Sequence, residues 1–413
     1  MTFGDRLTPE RLRDIVQDAH LNFLVGAGAS ADLCDPLGDI ENILTDLDRR
    51  KNSGEDVTVA RASVYAKYFD GAIVKNSKLL DPDAAASAVL GDYQNFLSAI
   101  NRVLVRRRSS ILNKQVNLFT TNIDLTLEVA LERLGSETND GFVGKFNPIF
   151  NTSNFGSLKF RRSLQYENLS EVPTFNIVKI HGSVSWRPDE VEPSDGSLPD
   201  IHFDAQLSLV SATARSLDAA RSGLVQVAAA DKLDLDEILA KASELPLTPE
   251  VTAFMAQYEK LAVVNPTKDK FRTTVLNQNY YELFRLFTNE LEKENSVLFV
   301  LGFSFRDEHI RQLVIRAARA NPTLQVFIFC YRSTTEAELR LLIDDAAVKH
   351  GNIEFVTPDP QPEGKDEEAL NLKTITAKYF SQIVVDRDPE SPPRAATAPE
   401  HAGAEEADHD SGK

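Results

Sequence analysis

Four apolar runs along the chain end alike, in small or polar residues. Leu21-Asn22-Phe23-Leu24-Val25 stops at Gly26-Ala27-Gly28-Ala29-Ser30, a pattern that predicts strand, glycine turn and helix. Val116 to Phe119 stops at Thr120-Thr121-Asn122-Ile123-Asp124, and the amphipathic stretch that follows from Leu125 predicts a helix stopped at Gly135. Asn176 to Ile180 runs into His181-Gly182-Ser183, and Ser296 to Leu301 runs into Gly302-Phe303-Ser304 ahead of a helical pattern from Asp307 to Ala320. Leu324 to Phe329 and Ile353 to Val356 predict two further strands, with a helix around Glu336 to Ala347 between them. Val263-Val264 reads as another short strand, which Pro266 bars from the middle of a sheet. Short buried strands alternating with helices predict an α/β fold, a mostly parallel sheet with helices on both faces.

Two mainly helical, alanine- and leucine-rich regions interrupt this alternation, at about 39–113 and 188–258, and read as helical inserts in one domain over 1–385. The stretch 386–413 is rich in Pro, Ala and acidic residues without an apolar period, which predicts a disordered acidic tail. With 413 residues, 42% of them hydrophobic, the chain is long and apolar enough to bury a sizeable core. No apolar run reaches the roughly twenty residues of a membrane span, and the amino terminus lacks the basic start and apolar run of a signal peptide. A cytoplasmic protein with no membrane partner is expected. Against 62 acidic residues stand 45 basic ones, a net charge of -17, so direct binding to duplex DNA is not expected. Arg106-Arg107-Arg108 and Lys159 to Arg162 read as solvated faces, with a local nucleic-acid or partner patch as the alternative. Cys34 and Cys330 are the only cysteines, too few for a disulfide framework or a tetracysteine zinc site within one chain.

Ligands of open parallel sheets bind beyond the carboxyl ends of the strands, where all four polar clusters fall. Gly26, Ala27, Gly28 and Ser30 suit a phosphate, because glycines admit close backbone approach and a following helix offers free amides; an ordinary tight turn is the alternative. Thr121, Asn122 and Asp124 bring a hydroxyl, an amide and a carboxylate to one turn, suited to ribose hydroxyls or a water, although Asp124 or Thr121 could simply cap the next helix. His181 leaves its strand beside Gly182, where an imidazole can act as a general base or be merely structural. Gly302 and Ser304 repeat the strand, glycine and hydroxyl arrangement. Asp307 reads as the cap of a helix whose His309 is surface or subunit contact, and Arg306 as solvated. Trp186, the single tryptophan, reads as packing.

The ordered set GAGAS, TTNID, HGS and LGFS resembles the sirtuin family over about residues 21 to 330. The resemblance implies a Rossmann-like fold that binds NAD. Asn122 and His181 match the family's catalytic asparagine and histidine, and Asp124 its aspartate. Gly26, Ala27, Gly28 and Ser30 match the phosphate and ribose loop, and Gly302 and Ser304 the second nucleotide loop. Three departures stand out: no zinc-binding cysteine pairs follow His-Gly, Cys34-Asp35-Pro36-Leu37-Gly38 replaces the GIPDFR segment, and Thr121 stands where glutamine is usual. The absent zinc domain, the long inserts and the wording LGFSFRDEHI are similar to the sirtuin-like NAD hydrolases of bacterial antiphage defence. The resemblance therefore implies an NAD glycohydrolase with no cofactor beyond NAD as substrate, no zinc, a homo-oligomer, and a HerA-type ATPase as candidate partner. A non-enzymatic subunit that senses NAD or ADP-ribose is the second reading, and a zinc-free deacylase or ADP-ribosyltransferase the third.

Overall fold

Each predicted run forms a strand because its residues are apolar on both faces, so only the middle of a layered structure can hold it. The computed structural model describes residues 7–34, 40–107, 112–162, 168–190, 199–226, 234–264, 276–343, 350–360 and 366–384. Helix α1 (Pro9–Asp18) is capped by Thr8 and leads into β1 (His20–Val25). Helices α2 (Ile40–Asn52), α3 (Thr58–Tyr68), α4 (Ser77–Leu80) and α5 (Ala84–Arg106) precede β2 (Gln115–Thr120), α6 (Thr126–Leu134) and β3 (Glu137–Asn139). Short strands follow: β4 (Phe142–Val143), β5 (Ile149–Phe150), β6 (Phe160–Arg162) and β7 (Leu169–Glu171) lie ahead of β8 (Thr174–Lys179), and β9 (Trp186–Pro188) and β10 (Ile201–Phe203) after it. Helices α7 (Ser208–Ala220), α8 (Leu235–Ser243), α9 (Pro249–Tyr258) and α10 (Leu276–Glu292) lead to β11 (Ser296–Leu301). The chain closes with α11 (Glu308–Ala320), β12 (Gln325–Phe329), α12 (Ser333–Ile343), β13 (Ile353–Val356) and α13 (Leu372–Ile375).

Seven strands form one sheet in the order β13-β12-β11-β1-β2-β8-β3, and every pairing in it is parallel. Apart from the edge strand β3, the strands run 3-2-1-4-5-6 in chain order, so this is a Rossmann-like doubly wound α/β fold with its switch between β1 and β11. Alternate residues feed two cores. Leu21, Phe23 and Val25 join Leu118, Ile177 and Phe299 on one face, under α1, α3, α5 and α9. Leu24 joins Phe119, Val178 and Val300 on the other, under α10, α11 and α12. Trp186 packs in that second core at 4.5 Å from Phe150, in agreement with its reading as packing.

Several expectations change. After β1 the chain makes a single 3-10 turn, Ala27–Ser30, instead of the predicted helix, because the Gly26 and Gly28 amides are drawn into backbone bonds with Leu301 and Gly302. Val263 forms one isolated antiparallel bridge to Gly182 and no strand, while Asn265 and Pro266 lie outside the described residues. The region 188–258 opens with strand pairing between β9 and β10 before its helices begin, since Trp186 and Ile201 are buried in the second core. Arg107 is buried and structural, not solvated: it donates to the carbonyls of Val16 and Ala19, both at 2.8 Å, and burial pushes its guanidinium down to about 10. Arg161 and Arg162 are exposed on β6, as read, while Arg108, residues 35–38 and the 386–413 tail lie outside the described residues. No helix among the described residues is long and apolar enough to cross a membrane.

The sheet also carries a polar ladder. Asn22, Asn117 and Asn176 stand in register on β1, β2 and β8. Asn176 donates to Asn117 and Asn117 to Asn22, each at 2.8 Å, and Asn22 donates to the Ser296 hydroxyl at 2.9 Å. That hydroxyl donates onward to Glu290 O, which fixes the direction of the whole series. Replacing Asn117 by Leu strands one acceptor and one donor, at roughly 1–3 kcal/mol each. We expect Asn117→Leu to lose about 2–4 kcal/mol in urea unfolding; a loss below about 0.5 kcal/mol would remove the ladder as a stabilising feature.

Candidate functional site

The site begins where β1 and β11 release their loops side by side. Gly26 N–H donates to Leu301 O and Gly28 N–H to Gly302 O, both at 2.9 Å. A Cβ on Gly26 would stand 2.5 Å from Gly302 O, and one on Gly302, whose φ is +61, would stand 2.3 Å from Ala29 N. These glycines are therefore required by the contact of loop on loop, before any ligand is considered. Ala27 and Gly28 keep an exposed side, as do Gly302 and Ser304. Gly28, Gly302 and Ser304 rim a cavity of about 180 Å³ over the carboxyl ends of β11 and β12. Ser30 turns inward instead: it is 1% exposed, and its hydroxyl lies 2.8 Å from that of Tyr93 on α5.

The Asn122 turn is fastened to the same loop. Thr120 donates its hydroxyl to Val25 O at 2.7 Å and accepts from the Asn122 amide at 2.9 Å. The Asn122 side-chain nitrogen donates to Gly26 O at 3.1 Å, which sets the carboxamide's orientation. Its Oδ1 is left buried with no hydrogen-bond partner among the described residues. An orphaned buried acceptor costs about 1–3 kcal/mol, which a hydroxyl or water donor offsets, so the residues present fit a ribose or an attacking water. Asp124 accepts from Thr126 N at 3.0 Å, which fixes the turn ahead of α6, and Thr121 is half-buried in the same turn.

Lys179 holds this turn from below. Its Nζ, 4% exposed, donates to Asp124 O and lies 2.9 Å from Glu128 Oε1. Burial pushes the Glu128 carboxyl up, and the Lys179 ammonium opposes that rise. From the first insert, Asn76 accepts from Leu125 N at 3.0 Å while donating to Ala72 O and Ile73 O.

His181 emerges one strand further along. Its Nε2 lies 3.2 Å from Asp307 Oδ2, with the two side chains 11% and 9% exposed. The Tyr280 ring stacks on the imidazole at 5.9 Å, and Val264 N donates to His181 O at 2.9 Å. Gly182 has φ +78, and a Cβ there would meet Ala262 O at 2.2 Å, so only glycine lets the 261–264 segment cross here. Burial, then the Asp307 carboxylate, push the Tyr280 hydroxyl well above its ordinary range, so it stays neutral. His309 and Arg306 are exposed, away from this pairing.

Asn122 is thus joined to the Gly26 loop, the Gly26 loop to the Gly302 loop, and His181 to the helix that follows Gly302. The sequence reading missed Lys179, Asn76 and Tyr93, and saw in Asp307 only a cap. Lys179 did carry a signal, as a charge inside an otherwise apolar strand run. Among the described residues no group of three or more His, Cys, Asp or Glu side chains could hold a metal. A family model described as SIR2-like domain matches residues 257–350, which include β11, Gly302, Ser304 and Asp307, and supports a sirtuin-like family. No curated protein matches the chain.

Removing Lys179 leaves the largely buried Glu128 carboxyl without its cation, which for a broken buried pair costs about 3 kcal/mol. We expect Lys179→Met to lose roughly that in urea unfolding and Lys179→Met with Glu128→Gln to recover part of it. Equal stability of the two variants would show that the pair does not carry the turn.

Proposed function

We propose that this chain is an NAD glycohydrolase that cleaves NAD to nicotinamide and ADP-ribose. The observation that carries the reading is that Asn122 is joined to the Gly26 loop, that loop to the Gly302 loop, and His181 to the helix after Gly302, with the Asn122 acceptor buried and unsatisfied. The SIR2-like match at 257–350 favours NAD-related chemistry at the family level.

The bond to be broken joins nicotinamide, a cationic leaving group, to ribose. Nicotinamide departs with the bonding electron pair and needs little acid assistance, so the ribose carbon becomes oxocarbenium-like. A water oxygen then bonds to that carbon and yields its proton. In this reading Gly26, Ala27, Gly28 and Ser30 belong to one nucleotide loop and Gly302 and Ser304 to the other. Their glycines let the two loops touch, which leaves Gly28, Gly302 and Ser304 at the rim of the cavity that a dinucleotide would enter. Thr121 and Asp124 shape the turn, Asn122 Oδ1 accepts from the attacking water or a ribose hydroxyl, and His181 takes the water's proton. No zinc takes part. An unrestrained NAD hydrolase would exhaust its own cell, so the reading includes control by assembly in the cytoplasm, in a homo-oligomer or with a HerA-type ATPase, in an antiphage role like that of the proteins it resembles.

The test is nicotinamide release from NAD by the purified full chain, alone and with a HerA-type ATPase and DNA. Asn122→Ala and His181→Ala, each confirmed as folded, should lower turnover on the order of 100-fold or more. Variants that hydrolyse NAD as fast as the parent would overturn the assignment. Binding of ADP-ribose without turnover in any condition would favour the sensing reading.

A further inference from the structure

Asp307 is asked to do two things, one with each carboxylate oxygen. Its Oδ1 accepts from His309 N at 3.0 Å and from Ile310 N at 3.2 Å, which caps α11. A cap needs only one acceptor, and Ser or Thr supplies it about as well. The second oxygen, Oδ2, stands 3.2 Å from His181 Nε2, across 126 positions of sequence that only the fold brings together. A carboxylate with its side chain only 9% exposed is costly unless both oxygens are used. The α11 amides satisfy Oδ1, and the His181 ring stands at ion-pair distance from Oδ2. Tyr280 packs on the face of the imidazole beside the Asp307 carboxylate, while Val264 N anchors the His181 backbone carbonyl.

We propose that Asp307 is a positioning residue that fixes His181 as the tautomer with its proton on Nε2, which leaves Nδ1 as the nitrogen that accepts a proton. Its value for turnover rests on the hydrolase reading above; the tautomer itself does not. The arrangement follows the general rule that a buried carboxylate beside one ring nitrogen decides what the other can do. Because Asp307 also caps the helix that follows the Gly302 loop, the loop and the base are set by one side chain.

Two variants separate the tasks. Asp307→Ser keeps a capping oxygen but is too short to reach His181, and Asp307→Asn keeps both cap and reach but not the charge. The first readout is nitrogen NMR of the imidazoles in the full chain, with the His181 signals assigned by loss in His181→Gln. The parent should show a protonated Nε2 and a bare Nδ1, and both variants should lose that bias. The second readout is steady-state NAD hydrolysis, in which kcat should fall on the order of 100-fold or more in both variants while KM changes little. A parent spectrum with the proton on Nδ1 overturns the proposal whatever the activity. Full kcat in a folded Asp307→Ser overturns the positioning role. The expected spectrum in a chain that never hydrolyses NAD leaves Asp307 as the partner that sets His181 and removes the hydrolase reading instead.

Discussion

Two backbones meet at the switch of the sheet, with no side chain between them. β1 and β11 run parallel with Val25 opposite Leu301, so their loops leave at the same level and must either diverge or touch. They touch, through Gly26 N–H to Leu301 O and Gly28 N–H to Gly302 O. A Cβ on any of these glycines would fall well inside contact distance of the other loop. The approach turns Gly26 O toward Asn122, and the chain beyond Gly302 delivers Asp307 to His181. Part the loops and the site loses both its joints.

The interior around this contact carries polar groups that partner one another through at least one of their atoms. The Asn22, Asn117 and Asn176 ladder runs across three strands into Ser296, Lys179 faces Glu128, and Arg107 closes the carboxyl end of α1. Each is a case in which a buried polar group is tolerated because a partner replaces water. Asn122 Oδ1 is one of the buried side-chain atoms that find no hydrogen-bond partner among the described residues, as are Asn176 Oδ1, Glu128 Oε2 and Arg107 Nε, and it is the one that lies in the turn fastened to the Gly26 loop. Strain and unmet valence tend to collect where a ligand will meet them.

The first insert is a buttress for the site as well as a source of helices. Asn76 pins Leu125 just past the Asn122 turn, and Tyr93 holds Ser30 at the far end of the glycine loop. The second insert leans on the first, with Tyr65 stacked on Tyr258 at 4.5 Å and Val225 N donating to Ser63. Helices added to one face of the sheet therefore bear on loops at its carboxyl edge. Rigid support of this kind is what holds catalytic geometry within the narrow tolerance that chemistry needs.

The sequence by itself determined the central strands, the parallel sheet and the four polar clusters at strand ends, because apolar periodicity and glycine turns are local signals that survive without tertiary context. It also carried Gly135 as a helix stop, seen at φ +61, and Trp186 as packing. It could not tell Arg107 from its exposed neighbours, since the carbonyls that bury Arg107 belong to α1, far away in the chain. Nor could it see the second oxygen of Asp307, or Asn76 and Tyr93 as supports. Those roles are contacts between residues tens to more than a hundred positions apart, and distance along a chain says nothing of distance in space until the sheet order and the packing of helices on its faces decide it.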